Sequence, residues 1–361
     1  MADRPELSFC TSLDGTRLAV ATQGRGRCVV MVQLIVGDDL DAPTFVVGPW
    51  ASGLSDVARL ICYDPRGCGM SDRRMDRCTL ETWSEDLDAV LNTLGPEPVV
   101  LLAHSQGSML AIHYASLNPH RVSHLVIYGG IARGRLRRGP DSASFQETQA
   151  QREAIISGWG AQTAYSAAFR RIFYSTFNPR MSEETVAAVD EVTLRRWSMQ
   201  CVLGHTTAAW DIDVSDQARR VSCPTLAFHA RGDRAHLFEE GCRLAALIPG
   251  ARFVPVDSDC HLPTQADAHW PMTLSEIKDF VGVAATDRAP SVGSSPTPVL
   301  TPRQIEVLRL VAQGQSDKQI ARALGLSPRT VEMHVANAIS SSGARTRAEA
   351  VGKATTAGWL D

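Results

Sequence analysis

The chain has 361 residues, which at about 150 residues per domain points to two domains or three. Hydrophobic residues make up 44% and charged residues 21%, enough apolar material for a large core, which excludes a chain disordered throughout. The net charge of −3 excludes a polybasic, histone-like protein. That average hides an asymmetry: residues 297–361 hold eight Lys/Arg against five Asp/Glu, leaving 28 and 34 in the rest, so a +3 tail follows a −6 body. A small basic piece on an acidic body points to nucleic acid as the tail's partner. The start, Met1 to Glu6, carries both charge signs with no apolar run behind it and does not read as a secretory signal. The longest apolar stretch, Cys28 to Gly37, is broken by Gln33 and is far too short to span a membrane, so no membrane partner is expected. Nine cysteines without a Cys-x-x-Cys pair read as reduced thiols packed as small apolar side chains. They point to a cytoplasmic protein with no metal site, and no motif asks for a cofactor.

In chain order, strand-like apolar runs alternate with amphipathic segments. Val29–Val36 and Arg59–Tyr63 read as strands, Trp83–Leu94 as a helix, and Pro98–Ala103 as a strand. Gln106–Ser116 reads as a helix and His124–Tyr128 as a strand. From about Pro140 to Asp213 the pattern is helical only, placed to act as a lid. Pro224–His229 then reads as a strand and Glu239–Leu247 as a helix. Such alternation predicts an α/β sandwich with a mostly parallel sheet. Ala284–Pro298, with three prolines, three serines and no apolar period, reads as a linker. The expected domains are therefore 1–283 and 299–361, joined by 284–298.

Three residues of the body form a catalytic pattern. Ala103-His-Ser-Gln-Gly107 lies between a strand and a helix, as a nucleophile elbow does, with small Ala103 and Gly107 at the sharp turn. Asp233 and then His261 follow after later strands, in the order Ser–Asp–His. In that arrangement His261 takes the proton of Ser105 while Asp233 fixes the imidazole tautomer. The body, from about Leu7 to Val281, resembles the α/β-hydrolase family. Its most specific match is Tyr63-Asp-Pro-Arg-Gly-Cys-Gly-Met-Ser-Asp72, and Phe9–Leu18 looks like that family's first hairpin. The family usually has His-Gly after its third strand, where a backbone N–H completes the oxyanion hole; this chain has Gln33-Leu-Ile-Val-Gly-Asp38. The amide of Gln106 supplies one donor, and Gln33 stands where the other belongs. Losing one such donor typically costs about a hundred- to a thousandfold in turnover. The body then reads as a small-molecule binder, with slow or true serine-hydrolase chemistry as the alternative. The basic run Arg133, Arg135, Arg137 and Arg138 follows a strand end on the crevice side, where Arg133 is expected to read an anionic group of the ligand.

The tail predicts four helices. Thr301 caps the first, with Pro302 at its first turn and Ile305, Leu308 and Val311 on one face; Gln313-Gly314 stops it. Asp317–Leu324 and a segment from Pro328 to about Ser341 make a helix-turn-helix, and Arg345–Gly358 makes the fourth. In the third helix Val331, Val335, Ala338 and Ile339 share the inner side. Arg329, Thr330, Glu332, Met333, His334, Ala336 and Asn337 are left for the groove. Lys318, Arg322, Arg329 and Arg345 would meet phosphates. From about Val299 to Leu360 the tail resembles the LuxR-type helix-turn-helix, through Leu-Thr-Pro-Arg-Gln-Ile-Glu-Val-Leu, Lys-Gln-Ile-Ala-Arg-Ala-Leu and Ser-Pro-Arg-Thr-Val-Glu-Met-His-Val. That resemblance implies double-stranded DNA as partner, base reading at Glu332, Met333 and Ala336, and a homodimer. The two halves together resemble bacterial transcriptional regulators with an α/β-hydrolase-like sensor domain.

Overall fold

A computed structural model describes residues 4–34, 38–43, 45–73, 75–139, 143–159, 164–282, 302–324, 326, 328–341, 344, 346–356 and 360. It divides into two units, Met1–Ala284 and Ala285–Asp361. The linker expected at 284–298 lies outside the described residues.

The first unit begins with β1 (Glu6–Thr11), β2 (Arg17–Gly24), β3 (Arg27–Val32), α1 (Val47–Leu54), β4 (Ala58–Tyr63), α2 (Leu80–Asn92), β5 (Val99–His104), α3 (Gly107–Leu117) and β6 (Val122–Tyr128). A 3-10 turn at Arg135–Arg137 leads to four helices, α4 (Ala143–Gly158), α5 (Ala164–Phe177), α6 (Glu183–Arg196) and α7 (Met199–Trp210). After α8 (Ser215–Ala218) come β7 (Thr225–Ala230), α9 (Phe238–Leu247), β8 (Arg252–Val256) and α10 (Trp270–Gly282). The strands form one sheet in the order β1-β2-β4-β3-β5-β6-β7-β8. β1–β2 and β2–β4 pair antiparallel; every pair from β4 to β8 is parallel.

Central strands are apolar on both faces because both faces are covered. In β5, Leu101 and Ala103 pack with Leu87 of α2 and Leu110 of α3, while Val100 and Leu102 pack on the other side with Trp50 and Leu54 of α1 and Ile277 of α10. The side-chain period of two splits one strand between two cores. β8 was not expected: Arg252-Phe-Val-Pro-Val256 is an edge strand, half exposed, and tolerates Pro255 for that reason.

The Asp-x-Arg-Gly stretch after β4 is a buried clamp. Arg66 is fully buried; its Nε and Nη2 donate to Asp86 of α2 at 2.7 and 2.6 Å, and its Nη1 to Asp14 of the first hairpin at 2.8 Å. Arg66, with Thr16, holds the Asp14 carboxyl far below the usual carboxylate range. Ser71 accepts from the Ala19 N–H and donates to the Asp64 carbonyl. Asp64 in turn receives Arg196 from the end of α6, so the motif fastens the helical lid to the sheet.

The second unit holds α11 (Pro302–Ala312), α12 (Asp317–Leu324), α13 (Pro328–Ser341) and α14 (Arg347–Thr356). Val331, Val335 and Ala338 of α13 are buried, as their spacing requires. They pack with Val307 and Leu308 of α11 and with Ile320 and Ala321 of α12; Ala350 and Ala354 of α14 close the other side. Arg347 bonds Asp317 at 2.6 Å and ties α14 to the start of α12. Among the described residues no helix is long and apolar enough to cross a membrane.

Candidate functional site

Ser105 sits between β5 and α3 at φ +54°, the only described non-glycine residue with positive φ. Such a backbone costs about 1–3 kcal/mol and persists where its surroundings hold it. Here the Ser105 N–H donates to the Tyr128 carbonyl of β6 at 3.1 Å. Gly107 also fixes the turn: a Cβ there would collide with the Val32 carbonyl and the Gln33 backbone, because α3 starts packed directly against the end of β3.

Asp233 follows β7. Its Oδ1 accepts the N–H groups of Ala235 and His236 at 2.8 and 2.9 Å, and its Oδ2 meets His261 Nδ1 at 2.7 Å. Burial pushes the Asp233 carboxyl up, but His261, His229 and the backbone amides outweigh it and hold it below its ordinary value. His261 is fully buried beside Gly129, where a Cβ would stand 2.9 Å from the imidazole. The His261 and Leu262 N–H groups donate to the Phe177 carbonyl at the end of α5, at 2.7 and 3.1 Å, so the lid holds the histidine loop.

One partner differs from the expected chain of proton transfer. Ser105 Oγ lies 3.3 Å from Nε2 of His236, and no hydrogen bond joins it to His261 among the described residues. His261 Nε2 is buried without a partner. The two imidazoles stand edge to face, 5.1 Å apart. Burial, reinforced by His261, Arg138 and Arg135, drives the His236 pKa well below 6.5, so the ring is neutral. Burial likewise lowers His104 to about 3; its Nε2 faces the His261 carbonyl at 3.0 Å. His236 was missed in the sequence because only the Asp233 turn aims it at Ser105. A histidine three positions after a loop aspartate was the available signal.

Above these residues lies a cavity of about 140 Å³. Ser105, Gln106, His236 and His261 line one side, and Trp159, Phe173, Trp197 and Trp210 of the lid line the other. Leu34, after β3, also faces the cavity, where the expected family pattern has glycine. Gln33 is buried behind it with neither amide atom bonded, and it does not line the cavity. The residues that follow, 35–37, lie outside the described ones.

Arg133 does not read the cavity. Its Nη2 and Nε donate to Glu240 of α9 at 2.7 and 3.0 Å, because the backbone there pairs with Asp213 and turns the side chain away. Two residues on, the 3-10 turn brings Arg135 to the cavity instead, with its Nη2 on the Ala235 carbonyl at 3.0 Å. Among the described residues no group of three or more His, Cys, Asp or Glu side chains is placed to hold a metal ion.

In the second unit Lys318 and Arg322 on α12 and Glu332 on α13 are exposed, and His334 is half-buried. Arg329, Thr330, Met333, Ala336 and Asn337 lie on α13, but their side chains, like Arg345, are outside the described residues.

Residues 45–263 match the family model of the alpha/beta hydrolase fold, and residues 298–354 match that of the bacterial regulatory proteins of the luxR family. A cis-3-alkyl-4-alkyloxetan-2-one decarboxylase of Shewanella oneidensis is 34% identical over 120 residues, 32% of this chain and 36% of that protein. The oxygen regulatory protein NreC of Staphylococcus epidermidis is 34% identical over 80 residues at the other end, 22% of this chain and 36% of that protein. The chain thus spans little more than a third of the length of either relative. The crystal structure of a hydrolase from Pseudomonas aeruginosa superposes with a TM-score of 0.61 at 22% identity, covering 77% of this chain and 98% of that one, a likeness of fold. The chain belongs to the alpha/beta hydrolase fold family and ends in a LuxR-type helix-turn-helix DNA-binding domain.

Proposed function

We propose that the protein is a cytoplasmic, ligand-responsive transcriptional regulator, in which a small molecule bound over Ser105, Asp233 and His261 changes how a homodimer holds DNA. The observation that carries this reading is the aromatic cavity of about 140 Å³ under the lid, in a chain that ends in a DNA-binding domain. A cavity of about 150 Å³ holds a single six-membered ring, which sets the scale of the ligand. The ligand acts by binding two states of the protein unequally. A compound that binds the cavity is expected to change the affinity of the full chain for a selected duplex. Unchanged DNA affinity with every bound compound would overturn the regulatory reading.

The DNA face follows the helix-turn-helix pattern. Exposed Lys318 meets phosphate, and the outer positions of α13, from Arg329 and Thr330 through Glu332, Met333, His334, Ala336 and Asn337, meet the major groove. Lys318→Ala is expected to weaken binding to all duplexes and to make its salt dependence shallower by about one phosphate contact. Ala336→Lys is expected to change the preferred sequence. Fluorescence anisotropy over a set of duplexes and salt concentrations checks both.

A second reading is serine hydrolysis of an ester, lactone or amide. The strained Ser105 and the unpartnered Nε2 of His261, which line the same cavity, favour it. The Gln33–Leu34 pair in place of His-Gly opposes it. A fluorophosphonate probe and a panel of simple esters separate the two readings. Multiple turnover lost in Ser105→Ala supports hydrolysis; no Ser105-dependent reaction supports a binding pocket.

A further inference from the structure

Among the described residues, the wall after β6 carries two arginines, Arg135 and Arg138, without a close buried carboxylate of their own. Three guanidinium groups come from one short segment, and of these Arg135 lines the cavity while Arg133 and Arg138 face Glu240 behind it. Arg133 takes up both oxygens of Glu240, whose side chain is 9% exposed. Arg138 is 5% exposed, reaches the same carboxylate only at 4.0 Å, and leaves its Nε and Nη2 without a hydrogen-bond partner. Arg135 lines the cavity itself, and its nearest carboxylate, Glu147 at 3.5 Å, is 67% exposed and so well screened. Burial pushes both Arg135 and Arg138 below their ordinary value, and the groups repel each other. His236 between Arg135 and Ser105 is neutral and supplies no counter-charge. Buried cations are ordinarily paired, and among the described residues the carboxylates near Arg135 are the exposed Glu147 and Asp233, which already holds His261, so an anion in the cavity would complete the pairing. The lid side of the cavity is largely aromatic, with Trp159, Phe173, Trp197 and Trp210, while Gln106, Gln151, Thr206 and the open Nε2 of His261 add neutral polar groups beside Ser105.

We infer that the ligand is a small carboxylate: one acid group held by Arg135 with Arg138 behind it, on a skeleton no larger than about a single ring packed against Trp159, Trp197 and Trp210. This rests on the ligand-binding reading of the same cavity and narrows it to a chemical class. Guanidinium pairs a carboxylate through two parallel N–H donors, which neither an amide nor an ester can match.

The test uses the full-length chain and three matched pairs: benzoate and benzamide, cyclohexanecarboxylate and its amide, hexanoate and hexanamide. Binding is followed by the fluorescence of the cavity tryptophans and by equilibrium dialysis. Each acid is expected to bind at least about tenfold more tightly than its amide. In Arg135→Gln that preference is expected to disappear, and Arg135→Lys is expected to keep part of it. Amides that bind the parent as well as the acids do would overturn the inference and leave the ligand-binding reading standing. Acids that bind selectively without altering DNA affinity would do the reverse. No binding of any acid at millimolar concentration would also overturn it.

Discussion

Below pH 6 the first unit is expected to lose stability on the order of 4 kcal/mol per pH unit. Three imidazoles are buried neutral: burial lowers His104 to about 3 and His205 to about 4, and drives His236 well below 6.5. The unfolded chain binds protons on all three near pH 6.5, while the folded chain does not. Unfolding therefore takes up about three protons between pH 6 and pH 5, and each contributes about 1.4 kcal/mol per unit. The effect is absent above about pH 7, where both states are neutral, and grows as pH falls towards the folded values. A native state at the lower end of the usual range of about 5–15 kcal/mol would be near its limit around pH 5. Urea denaturation at pH 7.5, 6.0 and 5.5 measures the slope. A slope of one proton or fewer would show that these rings are hydrated or protonated in the folded chain. Because His104 and His236 lie against His261, the ligand cavity is expected to open in the same pH range.

Arg66→Met is expected to cost about 3–5 kcal/mol. The substitution keeps most of the volume but leaves Asp86, 3% exposed, as an uncompensated buried charge and releases the hairpin carboxylate of Asp14. Arg66→Met combined with Asp86→Leu is expected to recover much of the loss, since an apolar pair of similar size often matches a buried ion pair. A single-substitution loss below about 1 kcal/mol would mean that water reaches the pair. Chemical denaturation of the two variants and the parent decides it.

The fold was legible where burial leaves a strong periodic trace. β5 is apolar at nearly every position because both faces are covered, and α13 alternates faces because one packs on α11 and α12. Chain order and strand ends mark Ser105, Asp233 and His261, and the structure brings Asp233 and His261 into contact but turns Ser105 to His236. What the sequence could not carry depends on rotations of a few residues. A 3-10 turn decides that Arg135, two positions after Arg133, faces the cavity. The backbone amides held by Asp233 decide that His236 meets Ser105. α1 leaves little trace because it is eight residues long with no side-chain cap, whereas α10, with buried Trp270, Thr273, Ile277 and Val281, carries a periodic trace of its own. Leu34 gave no signal of its own; its importance comes from the glycine expected there.

Reciprocal affinities measure the coupling proposed between the Ser105 cavity and the DNA-binding tail. The affinity of the full chain for a selected duplex is taken with the cavity empty and with it saturated by the tightest carboxylate of the panel. The affinity for that carboxylate is then taken with and without DNA. Coupling of ordinary size changes both by the same factor, about 5- to 150-fold. Equal factors are expected in the two directions, with loss of both in Arg135→Gln. Saturating ligand that leaves DNA affinity unchanged, with DNA leaving ligand affinity unchanged, would contradict the coupling.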